Sequence, residues 1–190
     1  IHQIGQPFVF CDERMKHKIQ ETLKLTNHLY RALERHELSL VYQPQVNMMT
    51  SQITGFEALL RWDNYEYGKI SPAIFIPIAE QTGLIQEIGQ WVIDEALSTL
   101  AQWQLLGEGA LTMAVNVSAA QFDGPLVQII QASLARHQVA PQQLEIEITE
   151  STAMEDTHHV LHALEEIQAL GVHVSIDDFG MAYSSMARLK

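Results

Sequence analysis

From residue 38 onward, short runs of strand-forming apolar residues alternate with longer stretches of helical periodicity, and Pro or Gly marks most of the boundaries. No other feature narrows the possible folds as much. Leu40 and Tyr42 alternate with polar neighbours, predicting a half-buried strand over 38–46. A polar turn at 48–52 leads to a second strand over 53–62. Pro72 opens a helical segment, Thr82-Gly83 interrupts it, and 84–106 reads as a long helix stopped at Gly107. A short apolar strand follows over 111–117, and helical segments occupy much of 124–137. Then come a strand over 144–148, a helix over 157–170 closed by Gly171, and a strand over 172–176 ending in Asp177-Asp178-Phe179-Gly180. Such alternation argues an α/β fold with a parallel sheet and crossover helices.

Before residue 38 the pattern is different. Residues 12–37 contain no Pro or Gly, and Met15, Ile19, Leu23, Leu29 and Leu33 form one apolar stripe among charges. This predicts one long helix connecting an upstream domain to the body of the protein and packing on its own domain. Pairing with a partner helix is the alternative. The opening Ile1-His2-Gln3-Ile4-Gly5 has no Met, basic region or long apolar run, so it reads as a cut inside a longer protein. Cys11 is the only cysteine, which excludes an intramolecular disulfide or a cysteine-rich metal site and points to a reducing cytoplasm. No stretch approaches the roughly 18 apolar residues of a membrane span.

The chain carries a net charge of −12, unevenly spread. Residues 38–190 hold five Lys and Arg against eighteen Asp and Glu. So acidic a surface cannot grip a nucleic-acid backbone by releasing counterions, which argues against general DNA or RNA binding. A phosphate-ester substrate would need cations to neutralise its site first. Candidate ligands fall where α/β folds build their sites, at the carboxyl ends of strands. Glu57 lies in the second predicted strand, Asn116 near the end of the third, Glu147 near the end of the fourth, and Asp177 and Asp178 at the end of the fifth. Four carboxylates and a carboxamide gathered there would repel unless a divalent cation held them, and oxygen donors suit Mg²⁺ or Mn²⁺.

Phe56-Glu57-Ala58-Leu59-Leu60-Arg61-Trp62 resembles the signature of the EAL domains, bacterial phosphodiesterases that act on cyclic di-GMP. Tyr42-Gln43-Pro44 precedes it at the family's spacing. Ser71 to Pro77, Ala79-Glu80 and Thr82-Gly83-Leu84-Ile85 follow, then Val115-Asn116-Val117-Ser118, Glu147-Ile148-Thr149-Glu150-Ser151 and Asp177-Asp178-Phe179-Gly180, in the family's order. The resemblance spans residues 38–190, and residues 1–37 are similar to the connector that often follows a GGDEF domain. It implies a modified TIM (β/α)₈-type barrel, incomplete at the C-terminus because such barrels run to about 250 residues. It further implies that Glu57, Asn116, Glu147, Asp177 and Asp178 ligate two Mg²⁺ or Mn²⁺ ions, with Glu57, Asp177 and Asp178 central to catalysis. Gln43 and Arg61 would contact the substrate, and Glu150 would brace the loop after the strand that ends at Asp177. The implied reaction is hydrolysis of cyclic di-GMP to linear pGpG. The implied partners are an upstream regulatory domain and a second copy of the chain, in a cytoplasmic protein whose parent can be membrane-anchored.

The chain departs from the pattern at Met181-Ala182, where the family commonly has Thr-Gly, and it stops before the family's later lysine and glutamate. The chain alone is therefore expected to be inactive. A non-catalytic receptor for cyclic di-GMP, acting through the connector helix, is the alternative, with a pure scaffold as a third. The Asp-Phe-Gly run lacks the glycine-rich loop and His-Arg-Asp element of a kinase. His158, His159 and His162 lie among acidic residues with no third ligand evident, so they read as a solvated helix face rather than a zinc site.

Overall fold

The computed structural model describes residues 13–106, 111–154 and 158–177, with side chains described from residue 20. Cys11, Asp178, Met181, Ala182 and the chain beyond them lie outside the described residues. Six helices, α1 (Glu13–Leu29), α2 (Pro72–Thr82), α3 (Ile85–Leu105), α4 (Leu126–His137), α5 (Glu150–Met154) and α6 (His158–Ala169), accompany six strands among these residues. The strands are β1 (Leu38–Val46), β2 (Ile53–Asn64), β3 (Gly68–Ile70), β4 (Thr112–Asn116), β5 (Leu144–Thr149) and β6 (His173–Asp177). They form one sheet in the order β1-β2-β4-β5-β6, with β3 on β2. Pairing is parallel from β2 through β4 and β5 to β6, so the predicted α/β crossovers are present.

Three sequence expectations need correction. First, β1 pairs antiparallel with β2. The turn between them is far too short for a parallel crossover, which takes a dozen residues or more. Asn47 shapes that turn, its Oδ1 accepting the amides of Met49 and Thr50 at 2.9 and 3.1 Å. Second, β3 is an extra strand, antiparallel to β2. Asn64 Oδ1 accepts the amides of Glu66 and Tyr67 at 3.1 Å each, and Gly68 turns the chain at φ 66°. Third, the connector helix ends at Leu29 rather than at residue 37. The chain continues in tighter turns, such as Ala32 N to Leu29 O at 3.0 Å, until His36 takes a left-handed φ of 55°. That reversal turns Glu37 and Leu38 into the body, where both are buried.

The helices cover one face of the sheet. Trp62 of β2 meets Phe75 of α2 edge-on at 5.6 Å, while Phe56 and Tyr42 lie 4.7 and 5.1 Å from Trp103 of α3. Ala96, Leu97, Leu100, Met113, Ile130, Leu144, Ile146 and Ile167 are fully buried, and burial of this kind is the main driving force for folding. Leu29 and Ala32 join the same core, so the end of the connector packs on the body it leads into. Among the described residues no helix is long and apolar enough to cross a membrane.

Candidate functional site

Residues facing each other across a ladder share a face, and side chains alternate along each strand, so the register sorts the sheet into two surfaces. On the helix-covered surface lie Phe56, Ala58, Leu60 and Trp62, then Met113 and Val115, then Leu144, Ile146 and Ile148. The opposite surface is polar. Gln43 stands opposite Glu57, Glu57 opposite Ala114, Asn116 opposite Glu147, Glu147 opposite Ser175, and Thr149 opposite Asp177. Placing Glu57, Asn116, Glu147 and Asp177 on this surface takes no special loop. Period-two alternation alone puts a polar residue there once its neighbours are claimed by the core.

Within that surface Asn116 Nδ2 donates to Glu57 Oε1 at 2.7 Å. Glu147 is half-buried, and its Oε2 is enclosed without a hydrogen-bond partner among the described residues. Burial first, then the charges of Glu57, Asp177 and Glu145, push its carboxyl up to about 7. Glu147 is thus the electrostatic centre of the group, one carboxyl pressed by three others. Among the described residues no three carboxylate, histidine or cysteine side chains form a ready-made metal cage. Asn116 supplies part of this donor set, and Asp178 lies outside the described residues. The donors nonetheless fit a hard divalent cation: each can offer an oxygen, Asn116 through its carboxamide Oδ1, the carboxylates repel one another, and one buried oxygen has no partner among the described residues.

The remaining expected site residues are more dispersed. Gln43 is exposed on β1, directly across from Glu57. Arg61 is half-buried on β2, and its Nη1 donates to Leu60 O at 2.9 Å. It lines a cavity of about 190 Å³ with Leu59, Ile88, Gly89, Asn116 and Gln121. Glu150 is buried at the first residue of α5, but the loop it was expected to brace lies outside the described residues. His158, His159 and His162 are exposed, as expected of a solvated face; His159 lies 3.2 Å from Asp123 and His162 3.4 Å from Glu166.

Two features at the site escaped the sequence reading. Ser118 Oγ donates to Glu80 Oε1 at 2.5 Å, tying the loop after Asn116 to α2. Gln121 closes a capping box with Ser118 over residues 119–123. The pattern Ser-x-x-Gln just after a strand is the signal that could have found the box.

A model of the EAL domain family matches residues 26–190. MucR of Pseudomonas aeruginosa, described as a bifunctional diguanylate cyclase/cyclic di-GMP phosphodiesterase, is 45% identical over 184 residues, covering 96% of this chain and 27% of that protein. A solved structure of the PaMucR phosphodiesterase in complex with c-di-GMP superposes with a TM-score of 0.80 at 47% identity, covering 85% of this chain and 66% of that one. The EAL enzyme Bd1971, with cAMP and cyclic-di-GMP bound, gives a TM-score of 0.80 at 34% identity over 90% of this chain and 47% of that one. The chain spans about a quarter of the length of the curated relatives it matches.

Proposed function

This chain belongs to the EAL domain family, and on that premise we propose that its polar sheet surface is the active face of a phosphodiesterase that hydrolyses cyclic di-GMP to linear pGpG. One observation carries the reading: Glu57, Asn116 and Glu147 stand on adjacent strands, with a buried Glu147 oxygen that no group among the described residues satisfies. EAL phosphodiesterases are metal-dependent. In this chain Glu57, Asn116, Glu147, Asp177 and Asp178 would hold a pair of Mg²⁺ or Mn²⁺ ions. Divalent cations, when bound there, supply a nucleophile from water at neutral pH and offset charge on the phosphoryl oxygens.

The protein's own residues do the rest. Glu147, its carboxyl pushed up to about 7 without a cation, would release its proton to water at little cost when a cation binds. Arg61 spends one donor on Leu60 O, leaving others of its fork for a phosphate oxygen of the substrate. Gln43, across the ladder from Glu57, offers an amide to the same substrate from the neighbouring strand. The acidic surroundings repel a free dinucleotide until cations are present, which couples substrate entry to metal loading. Residues 1–37 would lead from an upstream regulatory domain, in a cytoplasmic protein that pairs with a second copy of itself.

The test uses the intact protein, incubated with Mn²⁺ and cyclic di-GMP and followed by chromatography. Linear pGpG is the expected product, and Asp177→Asn should abolish it. Turnover unchanged by Asp177→Asn would remove the assigned site. Binding of the dinucleotide under saturating metal without hydrolysis would make the protein a receptor instead.

A further inference from the structure

Asn116 has an exposed side chain, so little packing fixes the direction of its carboxamide. Its orientation depends on the backbone that follows it. Just past it the strand ladder continues one residue, Val117 N donating to Glu147 O at 2.8 Å. The chain then enters residues 118–124, and α3 grips that loop at two points one helical turn apart. Gln121, which is 5% exposed, accepts the Ser118 amide on Oε1 at 3.0 Å. A Cβ at Gly89 would come within 2.1 Å of its Nε2. Gln86 Nε2 donates to Ala120 O at 2.6 Å, and a Cβ at Gly124 would come within 2.2 Å of Gln86 Oε1. In both places a glutamine amide fills the space a side chain would need: Gln121 over Gly89 of the helix, and Gln86 over Gly124 of the loop.

We propose that Gln121, seated on Gly89, is the positioning residue that holds the Asn116 carboxamide against Glu57. The Ser118 amide is two residues from Asn116, so its bond to a buried side chain fixes where the loop leaves β4. The loop exit in turn sets the backbone of Asn116 and brings Nδ2 to 2.7 Å from Glu57 Oε1. A carboxamide held there offers its NH₂ to the carboxylate or, after a half-turn about χ2, its oxygen to a cation. The consequence for metal affinity rests on the phosphodiesterase reading; the placement of Asn116 does not.

Gly89→Ala is the cleanest perturbation. The atom it meets is the end of a flexible side chain, so the amide is displaced and the helix backbone stays in place. In the intact protein labelled with ¹⁵N-asparagine, the Asn116 side-chain NH₂ pair is assigned by its loss in Asn116→Ala. It should show the wide proton splitting of a bonded amide. In Gly89→Ala and Gln121→Ala that splitting should collapse, and the Mn²⁺ dissociation constant measured by calorimetry should rise roughly tenfold, as for loss of a group that orients a ligand. Asp94→Asn, which loosens α3 against α4 elsewhere, should alter neither. An unchanged Asn116 resonance in both variants overturns the inference; a collapsed resonance with unchanged Mn²⁺ affinity upholds the positioning and overturns its consequence for the metal. A collapsed resonance in a protein whose wild type binds no Mn²⁺ upholds the positioning and removes the metal reading instead.

Discussion

Replacing Trp62 by Phe tests how the connector is fastened to the sheet. Trp62 is 1% exposed, and its ring meets Phe75 edge-on at 5.6 Å. Its indole Nε1 donates to Glu37 Oε2 at 3.0 Å, an oxygen that also accepts Asn64 Nδ2 at 2.8 Å. Phenylalanine keeps an aromatic ring against Phe75 but leaves a buried carboxylate short of one donor. Loss of a hydrogen bond to a charged group costs about 1.5–3 kcal/mol. The smaller ring gives up roughly 40 Å² of apolar burial, about 1 kcal/mol at about 25 cal/mol/Å². The sum is about 2.5–4 kcal/mol, which for a domain of this size lowers Tm by roughly 10 °C. Urea unfolding followed by far-ultraviolet circular dichroism reads it without relying on the altered fluorophore. A double-mutant cycle with Glu37→Ala should give a coupling of about 1–2 kcal/mol. A Trp62→Phe cost below about 1 kcal/mol, or additivity within about 0.5 kcal/mol, would refute the argument that this bond secures the junction.

Other expectations follow from close approaches and charges. In Gly55→Ala the new Cβ would lie 2.7 Å from the Thr112 carbonyl oxygen, a backbone atom that cannot swing away. Prising β2 from β4 should cost about 2–3 kcal/mol in urea unfolding, and adding Thr112→Ala should not restore it. Asp94 joins α3 to α4, accepting from Ser133, Arg136 and His137 at 3.1, 2.6 and 3.0 Å. Burial alone would raise its pKa, but the bonds from His137 and Ser133 and the charge of Arg136 outweigh it, holding the carboxyl below its ordinary value. Its contribution is full above the unfolded pKa and lost as pH falls through the folded one. Asp94→Asn should therefore cost about 1 kcal/mol at neutral pH, limited by solvent screening, and progressively less in acid. Glu147 behaves oppositely. With its carboxyl raised from 4.5 to about 7, the folded metal-free protein binds more protons than the unfolded chain between those values. Its stability should thus fall as pH rises from 4.5 to about 7, and Glu147→Gln should flatten that slope in thermal melts of chelator-treated protein. Mn²⁺ at about 100 times its dissociation constant should add about 2.7 kcal/mol; a melt that Mn²⁺ leaves unmoved at pH 8 counts against the site.

Much of the architecture was legible because its causes are local. Pro72 and Gly83 bracket α2 as helix-start and helix-stop residues do, the latter at φ 77°. Short apolar runs likewise marked the strands that carry Asn116 and Glu147 near their ends. What the sequence hid was set by long-range contacts. The helical periodicity of residues 12–37 is unbroken, so nothing local announces that α1 stops at Leu29. It stops because Glu37 must reach Trp62 and Asn64, both distant in sequence. The antiparallel direction of β1 follows from its short connection to β2, a signal that the alternation of strands and helices along the rest of the chain masks. Gln121 was passed over because a buried amide declares itself only through the glycine it occupies, and Gly89 reads as one more residue of a helix.

The two faces of the sheet together explain how the chain keeps an acidic face that works against its own stability. Adjacent strands lie about 4.8 Å apart, so carboxylates on neighbouring strands are forced close. Two like charges about 6 Å apart at an effective dielectric near 20 cost about 3 kcal/mol, a sizeable part of the 5–15 kcal/mol that holds a domain folded. Glu57, Glu145, Glu147 and Asp177 all press on this one surface. Without a cation the least costly response is for one member to keep a proton, and Glu147, the most enclosed, is the one pushed toward neutrality. The core on the opposite face tolerates the rest: Met113, Leu144 and Ile146 are fully buried, next in sequence to the polar positions. The same strands therefore carry both the apolar face that stabilises the fold and the acidic face that leaves it short of positive charge.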